Sequence, residues 1–266
     1  MDSRYAAVAA ASVRSLAGNR RLFALRMLGD VGIVLMEALL PVFLVARFGS
    51  VAGWTAPEVA LLIGLVRVGE GLSSLFGRAI DPFRFADTVR RGTFDQVLTR
   101  PVSPLAWMLT SGVEPRFIFR ALAGTGVVAW AAAASGVPLT VANVAVLALA
   151  ALGSAVLILS ILVMGAALTF LTVEGSDLAN VFANGAVSLS SFPLDVSGSV
   201  LRLTFTFLVP IGLCVYVPAL VVLGRDGPGV LGPGLLPALP AVLSGIAGLA
   251  GLAWCAGLRR YTSTGS

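Results

Sequence analysis

The chain is divided into apolar runs of membrane-spanning length, and this feature limits its possible folds more than any other. Charge-poor segments occupy residues 28–47, 57–77, 115–135, 139–173, 178–194, 203–223 and 236–258. A helix of about 20 apolar residues crosses the hydrocarbon core of a bilayer. Of the 266 residues, 58% are apolar and only 12% charged, and the mean hydropathy is +0.97. Soluble domains carry roughly a quarter charged residues, so this chain lacks the polar surface needed to face water. The expectation is an all-α polytopic membrane protein. No internal repeat, linker or large soluble insertion interrupts it, which predicts a single transmembrane domain over residues 1–266.

Arginine supplies the orientation. All 18 basic residues are Arg, and the net charge of +5 is concentrated at the two ends and in one loop. That distribution argues against nucleic acid as a partner and reads instead as a topology signal. Residues 1–21 place Arg4, Arg14, Arg20 and Arg21 around Tyr5, Val8, Val13 and Leu16, the pattern of an interfacial helix. The 78–104 loop holds Arg78, Arg84, Arg90, Arg91 and Arg100 against Asp81, Asp87 and Asp95. This loop, the N-terminus and the Arg259-Arg260 tail are expected in the cytoplasm. The 48–56 loop and the 136–138 turn lack basic residues and are expected outside.

Seven full crossings would carry Arg259 and Arg260 to the wrong side, so one candidate segment must fail to cross. The weakest stretch lies between Glu174 and Arg225, where Pro193, Pro210 and Pro218 interrupt the helical pattern. The fifth helix is therefore predicted at 178–194, and residues 195–224 as a re-entrant helical segment. Irregular backbone at membrane depth is tolerated only inside protein or beside water. Six transmembrane helices with both termini cytoplasmic result.

Several activities are excluded by missing residue types. Without Lys the G-x-x-x-x-G-K-[ST] phosphate loop cannot exist, and without His neither a His-based triad nor most zinc sites can be built. Cys214 and Cys255 offer no disulfide framework. Asp30 is the only aspartate placed to lie well within a crossing, so no intramembrane aspartate pair is available. The expectation is a chain that is not an enzyme and holds no cofactor or metal of its own.

Two constellations remain. Arg67 and Glu70 are three apart, on one helical face, and Glu37 and Asp30 share a face of the first helix. Charges at membrane depth are expensive and turn toward protein or an aqueous path. Glu37, Arg67 and Glu70 are thus candidates for a cavity or an intramembrane charge pair. In the cytoplasmic loop, Phe94, Val97 and Leu98 recur at helical spacing beside Arg90, Arg91, Asp95 and Arg100. This predicts a short amphipathic helix stopped by Pro101, with Gly92 allowing a sharp turn into it and Pro104 opening the next helix.

The loop is also where the chain resembles a known family. Arg91-Gly92-Thr93-Phe94-Asp95 with Leu98-Thr99-Arg100-Pro101, Gly53-Trp54-Thr55 before the second helix, Phe192-Pro193-Leu194 after the fifth, and the closing Tyr261-Thr262-Ser263-Thr264-Gly265 follow in the order seen in ABC transporter type-2 permeases. The likeness is to the six-helix half-permease branch. It implies a bacterial inner-membrane exporter in which two permeases, identical or homologous, pair and each rests on a separate ATP-binding cassette ATPase that binds ATP and Mg. It further implies that the N-terminal helix is an elbow, and that Arg90, Arg91, Gly92, Phe94, Asp95 and Arg100 form the coupling helix facing the ATPase. Substrates in this family are usually hydrophobic or amphipathic. The alternatives are an ion- or proton-coupled secondary transporter, for which inverted repeats would be expected, and a membrane scaffold subunit.

Overall fold

The structure, a computed structural model, describes residues 20–50, 52–171, 193–194, 198–228 and 231–262. These residues are helical, with no strand among them. The long helices are α1 (Arg20–Phe48), α2 (Ala56–Gly77), α6 (Arg116–Ala134), α7 (Val141–Thr169) and α10 (Leu239–Arg259). Between α2 and α6 lie a 3-10 turn (Arg78–Ile80), α3 (Pro82–Arg90), α4 (Asp95–Leu98) and α5 (Pro104–Ser111). Five helical stretches among the described residues are long and apolar enough to cross a membrane: Arg21–Phe48, Ala56–Arg90, Arg116–Ala134, Val141–Thr169 and Pro233–Arg259. The fifth helix expected at 178–194 lies outside the described residues apart from Pro193 and Leu194. So does the interfacial helix of residues 1–21, except for Arg20 and Arg21, which open α1.

Helix α2 is the centre of the bundle, packed between α6 and α7. Its glycines explain the closeness. A Cβ on Gly71 would sit 2.7 Å from the Ala121 backbone nitrogen, one on Gly64 2.8 Å from Val128, and one on Gly69 would collide with the Ser154 Cβ. In an apolar solvent, helices gain from such backbone approach rather than from excluding water. Helices α1 and α10 are peripheral, leaving Leu28, Met36, Leu39 and Phe43 of α1 and Leu249 and Leu252 of α10 exposed. Gly245, Gly248 and Gly251 recur along α10, and among the described residues nothing lies within 4 Å of a Cβ built on any of them.

The late segment is broken. Helix α8 (Ser199–Leu203) runs into a π-helical turn at Thr204–Leu208, and a second π-helical turn at Gly212–Tyr216 leads into α9 (Val217–Leu223). Pro210 lies between the two limbs and cannot donate a ladder hydrogen bond. The limbs touch where Gly212 meets Leu194 and the Phe205 carbonyl. Gly224, at φ 63°, ends α9 in the left-handed conformation that glycine adopts readily.

Two poles result. Tyr216 and Arg225 meet Trp54 at one. The 78–104 loop, the end of α7 and the end of α10 meet at the other.

Candidate functional site

The loop pole is built from Asp81 onward. Asp81 caps α3, its carboxylate accepting from the Arg84 N–H, and Pro82 occupies the first turn, where a missing N–H costs nothing. Pro82, Phe85, Ala86 and Val89 are buried, while Phe83, Arg84, Asp87 and Arg90 are exposed. Gly92 then reverses the chain at φ 66°, in the region that favours glycine. The following helix is one turn long, Asp95–Leu98.

This differs from the sequence reading in two respects. The principal amphipathic helix of the loop is Pro82–Arg90, upstream of the expected one, and what precedes Pro101 is a single turn. The Asp81-Pro82 pair was its signal, a cap followed by a residue suited to the first turn. The second difference concerns Phe94, which is 0% exposed. It points into the chain rather than outward, because the turn at Gly92 swings it under α3. Asp95 is half-buried and accepts a hydrogen bond from the Tyr261 hydroxyl at 2.9 Å. Arg90, Arg91 and Arg100 are exposed. The Arg91 Nε lies 2.9 Å from Asp87, and the Arg100 guanidinium sits 4.1 Å above the Trp107 ring.

Phe94 belongs to an aromatic cluster that the sequence reading did not foresee. Phe85, Phe94, Phe170, Trp254 and Tyr261 contact one another with ring centroids between 5.2 and 6.3 Å, mostly edge to face. Aromatic pairs prefer such geometries, each adding about 0.5–1.5 kcal/mol beyond its buried area. Burial, aided by the bond to Asp95, pushes the Tyr261 phenol up to about 12.

A charge network lies between α1, α2 and α6. Arg67 Nη1 is 2.6 Å from Glu70 and 3.1 Å from Glu37, so the three candidates of the sequence reading are in contact. The reading missed Arg120, whose guanidinium lies 3.1 Å from Glu70 and 3.8 Å from Glu37. Two arginines thus balance two glutamates. Nearer the loop pole, Arg116 reaches Asp30 at 3.0 Å and Glu114 at 2.8 Å, and Glu114 also receives Arg84 at 3.4 Å. Arg116 and Arg120 are four apart on one face of α6, and Asp30 and Glu37 are seven apart on one face of α1. That was the available signal.

At the Trp54 pole, Glu58 turns back to accept from the Thr55 N–H at 2.7 Å and hydroxyl at 2.9 Å, the return half of a capping box. Arg225 reaches across from the end of α9 to Glu58 at 3.0 Å and the Gly53 carbonyl at 2.7 Å. Its guanidinium also lies 4.9 Å from the centre of the Trp54 ring. Apolar grooves flank the bundle, two of them along α6. One of about 290 Å³ lies between Leu35, Leu39, Val42, Ala123 and Trp130, and one of about 440 Å³ between Leu65, Val128, Leu147 and Leu152. Both are lined by aliphatic and aromatic groups that can hold hydrocarbon but offer little to orient a polar molecule. Among the described residues, no three Asp, Glu or Cys side chains are grouped to hold a metal ion.

The described residues thus form a helical bundle with five stretches long and apolar enough to cross a membrane and a paired charge network between α1, α2 and α6. The family model described as ABC-2 family transporter protein matches residues 31–265. The chain belongs to the ABC-2 transporter family. As an ABC-2 permease it is a multi-pass membrane protein and a transport component of an ABC system. No curated protein and no solved structure matches it. For this ABC-2 permease the site of interest is therefore the exposed loop pole, which presents arginines on a scaffold fixed by packed rings.

Proposed function

We propose that this permease is the membrane-spanning half of an ATP-driven exporter for a hydrophobic or amphipathic substrate. It pairs with a second permease, identical or homologous, and is driven by separate ATPase subunits that bind ATP and Mg. One observation carries the reading: Arg90 and Arg91 are exposed beside the Gly92 turn, while Phe85, Val89 and Phe94 behind them are buried. Such an element takes a push at its surface and passes it inward, because packed cores respond as rigid bodies. Exposed guanidinium groups suit carboxylates on a partner.

In this proposal the loop pole is cytoplasmic, as its arginines require, and the chain lies in a bacterial inner membrane as a single domain with both termini inside. The fifth of six crossings falls at 178–194. Phe170 stands at the loop pole, and Leu194 packs on the limbs that lead to Tyr216 beside Trp54, so one passage between them gives an even count. Residues 195–224 form the re-entrant segment on the outer side, and the N-terminal residues form the elbow.

Co-expression with the ATP-binding cassette protein encoded nearest to it tests the reading. A detergent-stable complex with ATPase activity is expected, and the double charge reversal Arg90→Glu with Arg91→Glu should release the ATPase. Cysteines at Thr93 should react only with reagents applied from the cytoplasm. Labelling from outside, or a complex indifferent to the reversal, would overturn it.

A further inference from the structure

We infer that Tyr261 is a positioning residue that pins the coupling turn to the inner ends of α7 and α10, so that these three elements move as one body. The inference deepens the proposed function and depends on it for its consequence in transport. The pin itself rests on geometry.

Tyr261 lies beyond the end of α10, outside the membrane-spanning stretch. Its hydroxyl donates to Asp95 Oδ1 at 2.9 Å, at the head of the single turn that follows Gly92. Its ring stands edge to face with Phe94 at 5.4 Å and packs on Phe170 at 5.4 Å. Phe170 follows directly on α7, and Trp254 of α10 touches Phe85, Phe94 and Phe170. The turn is thereby held from two sides. Rings of α7 and α10 press on Phe94, and the hydrogen bond from Tyr261 to the Asp95 carboxylate ties the turn to the end of α10.

A four-residue helix has too few hydrogen bonds to be stiff alone, since short helices depend on tertiary packing. Without the bond to Tyr261, the Gly92–Arg100 stretch keeps the buried Phe94 and Val97 and the bond from the Thr93 hydroxyl to the Thr88 carbonyl, but it loses its polar tie to the end of α10 and gains freedom relative to that helix. A load applied at Arg90 or Arg91 would then be absorbed in the loop. With the bond in place, it reaches two membrane helices. A bond to an ionised group is among the stronger ones, which makes this contact suited to the task.

The test places spin labels at Thr93→Cys and Leu249→Cys in a Cys255→Ser background, both positions being exposed. The distance distribution is read in the purified permease and in its ATPase complex, before and after trapping with ATP and vanadate. A narrow distribution that nucleotide leaves unchanged is expected for the native residues. Tyr261→Phe should broaden it about twofold and reduce the coupling of ATPase activity to the permease several-fold, with complex yield retained and only a small drop in melting temperature. Asp95→Leu, which removes the acceptor and keeps the ring, should do the same, and Asp95→Asn, which keeps an acceptor oxygen, should restore the native distribution.

A nucleotide-dependent distance change in the native protein, or a Tyr261→Phe distribution indistinguishable from native, would overturn the inference. Failure to isolate any ATPase complex would sink the proposed function instead. The pin would still be decided by the distributions in the permease alone.

Discussion

Arg120 on α6 and Glu70 on α2 meet at 3.1 Å, each largely buried, in a chain whose apolar segments leave few places for a charge. Glu70 is also held by Arg67 at 2.6 Å, and Arg67 is shared with Glu37. Arg120→Leu leaves two carboxylates on one guanidinium. Removing one partner of a buried pair costs about 3–5 kcal/mol, and part of that remains here because Arg67 stays. A loss of about 2 kcal/mol or more in detergent unfolding experiments is expected. Arg120→Leu combined with Glu70→Leu should lose less than Arg120→Leu alone. A single variant as stable as the native protein would refute the pairing.

The α2–α6 contact is set by Gly71. A Cβ there would lie 2.7 Å from the Ala121 nitrogen, an atom that cannot step aside. Gly71→Ala should destabilise by about 1–3 kcal/mol, the usual range for overpacking. Gly245→Ala, where nothing lies within 4 Å, is the control and should melt at or slightly above the native temperature. Equal melting temperatures for the two variants would remove the argument.

Arg225 holds the Trp54 pole together through Glu58, the Gly53 carbonyl and the Trp54 ring. Because the pair is partly exposed, its coupling is expected near 1 kcal/mol. A double-mutant cycle with Arg225→Gln and Glu58→Gln should show non-additive losses, and Arg225→Gln should shift the Trp54 fluorescence to longer wavelength. Strict additivity would show that the two residues act separately.

Tyr261 titrates late, moved from an ordinary value of 10.0 to about 12 by burial and by Asp95. An acid with a raised native value keeps its proton more tightly when folded. Its stabilising contribution is therefore whole below about pH 10 and lost as pH rises toward 12. The ultraviolet tyrosinate signal should contain a component near pH 12 that disappears in Tyr261→Phe and moves to lower pH in Asp95→Leu. A titration unchanged by either substitution would contradict the assignment.

Much of the bundle was legible in the sequence. The charge-poor segments 57–77, 115–135, 139–173 and 236–258 coincide closely with α2, α6, α7 and α10, and 28–47 falls within α1, which starts earlier at Arg20, since hydrophobic length is a property of the local chain. The charge network was half legible. Arg67 and Glu70 are neighbours on one helix, but Arg120 joins them only through the way α6 crosses α2, which the glycine contacts determine. The 78–104 loop was least legible. Phe94 reads as one exposed ridge of an amphipathic turn until Phe170, Trp254 and Tyr261, remote in sequence, are brought over it. A period-based reading sees the face a residue occupies but not what covers that face.

The aromatic cluster also sets an order of assembly. Phe85 and Phe94 are synthesised long before Trp254 and Tyr261, so the loop must wait for the end of the chain before its inner face is closed. Until the last helix has entered the bilayer, those rings remain uncovered and Asp95 lacks its hydroxyl. A permease cut short before Trp254 would thus leave Phe85, Phe94 and Phe170 without the ring that packs across all three.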